Sequence, residues 1–95
     1  MHEGVCVITG VGPGTGSALA RRFAADGYRV AMLARDAQRL ALLASEIPGA
    51  AAFPIDVADL DALRSVLARV RSELGEPSVL LHNAVSRAAS ARSRA

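Results

Sequence analysis

The chain has 95 residues, 52% hydrophobic and 21% charged, a composition that excludes disorder over most of its length and leaves room for one small core. Its formal charge of +2 resides in residues 86–95, which carry three arginines and no acid, whereas residues 1–85 hold eight arginines against nine acids. There is no lysine, one cysteine (Cys6) and no apolar run near the roughly 20 residues of a membrane span, which excludes Schiff-base and P-loop lysine chemistry, an intrachain disulfide, a CxxC metal site and a membrane-crossing helix.

Met1-His2-Glu3-Gly4 lacks the charged and apolar regions of a signal peptide, so a cytoplasmic protein is expected. Val5-Cys6-Val7-Ile8-Thr9 is short, rich in β-branched residues and apolar on both faces, as a strand covered on both sides must be. The glycine-rich run from Gly10 to Gly16 follows, and then Ala18, Leu19, Ala20, Phe23 and Ala24 recur at helical spacing until Asp26-Gly27 stops them. Arg29 to Ala34 predicts a second strand. Asp36 is placed to cap a helix with Leu40, Leu43, Ala44 and Ile47 on its apolar face, broken by Pro48-Gly49.

Ala51 to Pro54 predicts a weaker third strand, and Asp56 to Asp59 a turn into a helix. Leu60, Leu63, Val66, Leu67, Val70 and Leu74 would form that helix's single apolar stripe, with Gly75 and Pro77 ending it. Val79-Leu80-Leu81 predicts a fourth strand closing at His82-Asn83. Strands alternating with helices of this length imply βαβ units with right-handed crossovers, and hence an α/β fold with a mostly parallel sheet. The expected strand order is 3-2-1-4.

A loop joining the first strand to a helix N-terminus aims backbone N–H groups and the positive end of the helix dipole at one spot, a ready site for pyrophosphate. Gly10 suits the tight turn, Gly14 lets a phosphate approach the backbone, and Gly16 allows close packing of helix on strand. Gly12 and Thr15 complete the loop's expected contacts. In the spacing Thr9-Gly10-x-x-x-Gly14-x-Gly16 the sequence resembles the short-chain dehydrogenase/reductase family, whose cofactor motif is TGxxxGxG. Asp56-Val57 is similar to the pair that holds the adenine ring in that family, and Leu81-His82-Asn83-Ala84-Val85 resembles its NNAG segment.

The resemblance covers about residues 4–85. It implies a Rossmann-type three-layer αβα arrangement with a partial sheet of about four strands, and a dinucleotide-binding part over 1–85; residues 86–95, an Ala/Ser/Arg tail with no strand pattern, are by their composition expected to be disordered. Thr15 stands where the family usually has an apolar residue, Pro13 offers no N–H, and His82 and Val85 replace the first Asn and the final Gly of NNAG. Asn83 and Ala84 remain as cofactor contacts, with Asn83 largely architectural. His82, with no partner identifiable, is expected to be a tolerated surface or half-buried histidine.

In the family's register the NAD-selecting acid falls at Ala34, and the next position, where NADP-dependent members often carry arginine, is Arg35. That favours NADP(H) over NAD(H), because a guanidinium fork suits a phosphate. Arg35 could equally be a solvated residue at a strand end, and Asp36 a helix cap. The family's chemistry, hydride exchange between nicotinamide and a carbonyl or alcohol, uses a tyrosine, a lysine four residues later and a serine. Tyr28 is the single tyrosine, Met32 stands four residues on, and Ser86 follows the NNAG-like segment too closely.

No residue is therefore assigned a catalytic or metal-binding role, and Tyr28 is expected to pack between helix and strand. The chain is expected to be the first part of a larger oxidoreductase, inactive alone. A non-catalytic nucleotide-sensing or interaction module remains the alternative, its fourth strand an exposed edge open to self-association or a complementing chain. A nucleic-acid arm is disfavoured, since the three tail arginines come with no aromatic residue.

Overall fold

A computed structural model describes residues 4–10, 15–56 and 58–82. Strand β1 (Val5–Thr9) is buried along its whole length, and β2 (Arg29–Ala34) from Val30 to Leu33. With β3 (Ala50–Pro54) and β4 (Pro77–His82) they form a parallel sheet in the order β3-β2-β1-β4, as the alternation of elements predicted. The connections are α1 (Thr15–Ala25), α2 (Ala37–Glu46) and α3 (Leu60–Glu73).

The period-2 alternation of the strands divides the core in two. Cys6, Ile8, Val30 and Met32 point to the side where Ala20 of α1 and Leu40 of α2 are buried. Val5, Val7, Ala31, Leu33 and Phe53 point to the other side, against Val66 and Val70 of α3. This is why the first two strands read as continuous apolar runs: each face has its own helical cover.

Local signals set the helix ends. Asp36 Oδ1 accepts the Arg39 N–H at 3.0 Å and Asp59 Oδ1 the Ala62 N–H at 3.1 Å, so both helices begin on carboxylate caps. Gly27, with φ of +97°, turns the chain out of α1, where a side chain would be strained. Arg29 donates through Nη1 to the Leu74 carbonyl at 3.0 Å, which satisfies an orphan acceptor at the end of α3 and ties it to the start of β2.

Three expectations need correction. Leu60 opens α3 and is 65% exposed, so the stripe that covers the sheet starts a turn later, at Leu63. Ala18 is likewise exposed on α1. The fourth strand starts at Pro77 rather than Val79, because a proline is tolerated as the first residue of a strand. Ser78 is the extra residue of a bulge there: Pro77 opposes Val5 and Val79 opposes Cys6. Beyond the bulge, Val79 and Leu81 join the α1/α2 side, while Leu80 is 65% exposed.

Candidate functional site

The parallel order brings the carboxyl ends of β2, β1 and β4 side by side. From β1 the chain passes to β2 on one flank, and β4 lies on the other. In open α/β sheets such a reversal opens a crevice at the strand ends, where ligands sit.

Thr9, the last residue of β1, is buried, with 5% of its surface exposed. Directly opposite, in register, stands His82 of β4, and Thr9 Oγ1 and His82 Nδ1 are hydrogen-bonded. The expectation that His82 has no partner is thus corrected. Its partner is 73 residues away, so only strand pairing could reveal it. Gly10 then turns out of the strand with φ of +73°, a conformation glycine adopts without strain, while its N–H donates to the Leu33 carbonyl at 2.9 Å. That bond anchors the start of the loop on β2.

Thr15 opens α1, and Gly16, in its first turn, is buried. The first turn of α1 has no acidic side chain, so its positive dipole end is not neutralised by its own sequence. Gly12 and Gly14 lie outside the described residues, as do Val57, Asn83 and Ala84, and the tail over 86–95.

At the end of β2, Arg35 is exposed and has no hydrogen bond or ion pair among the described residues. Its neighbour Asp36 is engaged twice by Arg39, through the backbone cap and through Nε at 3.7 Å from Oδ2. Exit from β3 is fixed on β2 as well, since the Ile55 N–H donates to the Ala34 carbonyl at 2.8 Å. Asp56, exposed beside it, accepts the Ala58 N–H on Oδ1 at 3.0 Å and the Asp59 N–H on its carbonyl at 2.9 Å, which makes the turn into α3.

The remaining reactive groups lie elsewhere. Cys6 is fully buried, and loss of solvation pushes its thiol up to about 11, far from a reactive thiolate. Tyr28 packs edge to face on Phe23, ring centroids 5.2 Å apart and planes at 67°. No cluster of three metal-ligating side chains exists among the described residues, and no helix of theirs is long and apolar enough to cross a membrane.

Comparison with known proteins gives the same picture. A family model described as short chain dehydrogenase matches residues 4–94. The meso-2,3-butanediol dehydrogenase of Serratia marcescens is 40% identical over 82 residues, 84% of this chain and 33% of that protein. Among solved structures, a metagenomic short-chain oxidoreductase in complex with NADP superposes with a TM-score of 0.83 at 31% identity, over 90% of this chain and 41% of that one. A 3-ketoacyl-(acyl-carrier-protein) reductase from Brucella melitensis complexed with NADH gives 0.77 at 31% identity, over 81% and 32%. The chain spans about a third of the length of the curated relatives it matches.

Proposed function

The chain belongs to the short-chain dehydrogenase family, and from that premise we propose that residues 1–85 are the dinucleotide-binding portion of an oxidoreductase, with NADP(H) preferred over NAD(H). The observation that carries the reading is the side-by-side placement of the carboxyl ends of β2, β1 and β4: Gly10 leaves β1 there at positive φ, and the helix that follows, α1, has no acid in its first turn. Thr9, Gly10, Gly12, Gly14, Thr15 and Gly16 would cradle the pyrophosphate. Asp56 and Val57 would hold the adenine, and Asn83 and Ala84 would be further cofactor contacts. A nicotinamide dinucleotide held by these residues would bring hydride-transfer chemistry to the complete oxidoreductase.

The cofactor preference rests on how Arg35 and Asp36 divide their roles. A carboxylate selecting NAD must offer an oxygen to the ribose 2′-hydroxyl, whereas Asp36 caps α2 through Oδ1 and pairs with Arg39 through Oδ2, which accounts for its place in the sequence without a ligand. Arg35 keeps its guanidinium fork available for a 2′-phosphate. Fluorescence titration of the 95-residue chain with NADPH and NADH tests this, with tighter NADPH binding expected; equal affinities would overturn the preference.

By itself the chain is inactive in this reading. Proton exchange by a tyrosine near neutral pH requires a nearby cation to stabilise the phenolate. Tyr28 has no lysine to serve it anywhere in the sequence and is packed on Phe23. Carbonyl-dependent oxidation of NADPH by the purified chain would sink this part of the proposal. A cytoplasmic setting belongs to the same reading and agrees with a single buried, unpaired thiol.

One observation favours a second reading, a non-catalytic module that associates through β4. Leu80 is 65% exposed on a strand that no further strand flanks among the described residues. A partner pairing there should compete with self-association.

A further inference from the structure

The Thr9–His82 hydrogen bond joins a buried hydroxyl to an exposed imidazole across the β1–β4 pair, the side of the crevice opposite β2. A buried hydroxyl proton without an acceptor carries a desolvation penalty, and for Thr9 the Nδ1 lone pair is the side-chain acceptor at hand. A ring that carries its proton on Nε2 offers the Nδ1 lone pair to the Thr9 Oγ1–H. The bond holds the end of β1 from one side, while the Gly10 N–H bonded to Leu33 holds it from the other. Between these two ties the chain leaves the sheet for the glycine loop.

We propose that His82 is a positioning residue of the dinucleotide crevice: by accepting the Thr9 hydroxyl it fixes the end of β1 from which the glycine loop springs. This rests on the dinucleotide-binding reading above. The role belongs to the acceptor atom, not to the ring. In His82→Asn the carboxamide Oδ1 takes the place of Nδ1 and can accept from Thr9, whereas His82→Phe keeps a ring of similar size and loses the acceptor.

The test is NADPH affinity of the whole chain at pH 8. His82→Phe should weaken binding about tenfold, the effect of one buried hydrogen bond lost, and His82→Asn should restore most of it. Thr9→Val, which keeps the side-chain shape, should weaken binding by a similar factor, and combining it with His82→Phe should add little. Imidazole ¹⁵N spectra of the unaltered chain should show the Nε2–H tautomer, with that preference lost in Thr9→Val. Unaltered NADPH affinity in both His82→Phe and Thr9→Val, or a ring protonated on Nδ1, would overturn the positioning role alone. Failure of the unaltered chain to bind NADPH at all would overturn the dinucleotide reading and this role with it.

Discussion

Arg35 and Asp36 are adjacent in the chain and opposite in engagement: Asp36 binds Arg39 through both carboxylate oxygens, at 3.0 Å to the backbone N–H and 3.7 Å to Nε, while Arg35 meets no polar partner among the described residues. Removing each should therefore have different consequences. Arg35→Ala should lower NADPH affinity about tenfold or more and leave NADH affinity and stability within error, since a charge-assisted phosphate contact contributes about 1.5–3 kcal/mol. Asp36→Ala should leave the NADPH/NADH ratio unchanged and cost about 1 kcal/mol of stability through the lost cap. Paired titrations and urea midpoints on the two variants would decide; a changed ratio in Asp36→Ala would assign the selectivity to the acid.

Two leucines on helices should respond in opposite ways to truncation. Leu40 is fully buried between α2 and the sheet, so Leu40→Ala should cost about 3 kcal/mol from lost transfer energy and the cavity left behind. Leu60, 65% exposed at the first position of α3, should tolerate Leu60→Ala within about 0.5 kcal/mol. Denaturant unfolding of both variants checks the contrast. A large loss in Leu60→Ala would mean that it belongs to the core after all.

Alkaline pH should destabilise the fold through Cys6. Burial raises its thiol from the ordinary 9.0 to about 11, so below pH 9 the thiol is protonated in both states and its contribution is intact. Between these values the unfolded chain ionises while the folded chain keeps its proton, so stability falls as pH rises, by about 2 kcal/mol at pH 10.5. Urea midpoints at pH 8 and 10.5 should show a smaller fall in Cys6→Ala, although that variant starts less stable. An equal fall in both chains would remove Cys6 as the cause.

The edge formed by β4 carries no acid, lysine or arginine from Pro77 to His82, and Leu80 stands exposed on it. Charged residues on an edge strand oppose pairing with another sheet. Leu80→Lys should accordingly shift any concentration-dependent association toward the monomer, seen by sedimentation velocity, with the circular dichroism spectrum unchanged. Association that persists unaltered would locate the contact elsewhere.

Most of the architecture is legible in the sequence. Runs such as Val5–Thr9 and Arg29–Ala34 can bury both faces only in a covered parallel sheet, and Asp36 and Asp59 are short side chains placed to accept N–H groups three residues on. Gly10 announces a turn for the same local reason, the absence of a Cβ at positive φ. These features depend on neighbours within a few positions, which is the range over which spacing carries information. For Arg35 and Asp36 the sequence leaves two readings open, ligand contact or strand-end cation for the one and selectivity acid or helix cap for the other. The structure adds that Asp36 is occupied.

Beyond that range the sequence by itself reached the strand order, through the alternation of strands and helices, but no individual side-chain contact. It determined strand, loop and helix in order, the family motif and the lack of a lysine to serve Tyr28. Tertiary structure alone decided that Leu60 faces solvent while Leu63 packs against the sheet, because the helix meets its partner one turn after its cap. It also decided that Ser78 bulges and so returns Val79 to the face of Cys6. And it brought His82 to Thr9, since partners 73 residues apart meet only through strand register, and register is set by the packing of whole strands rather than by any residue's own neighbours.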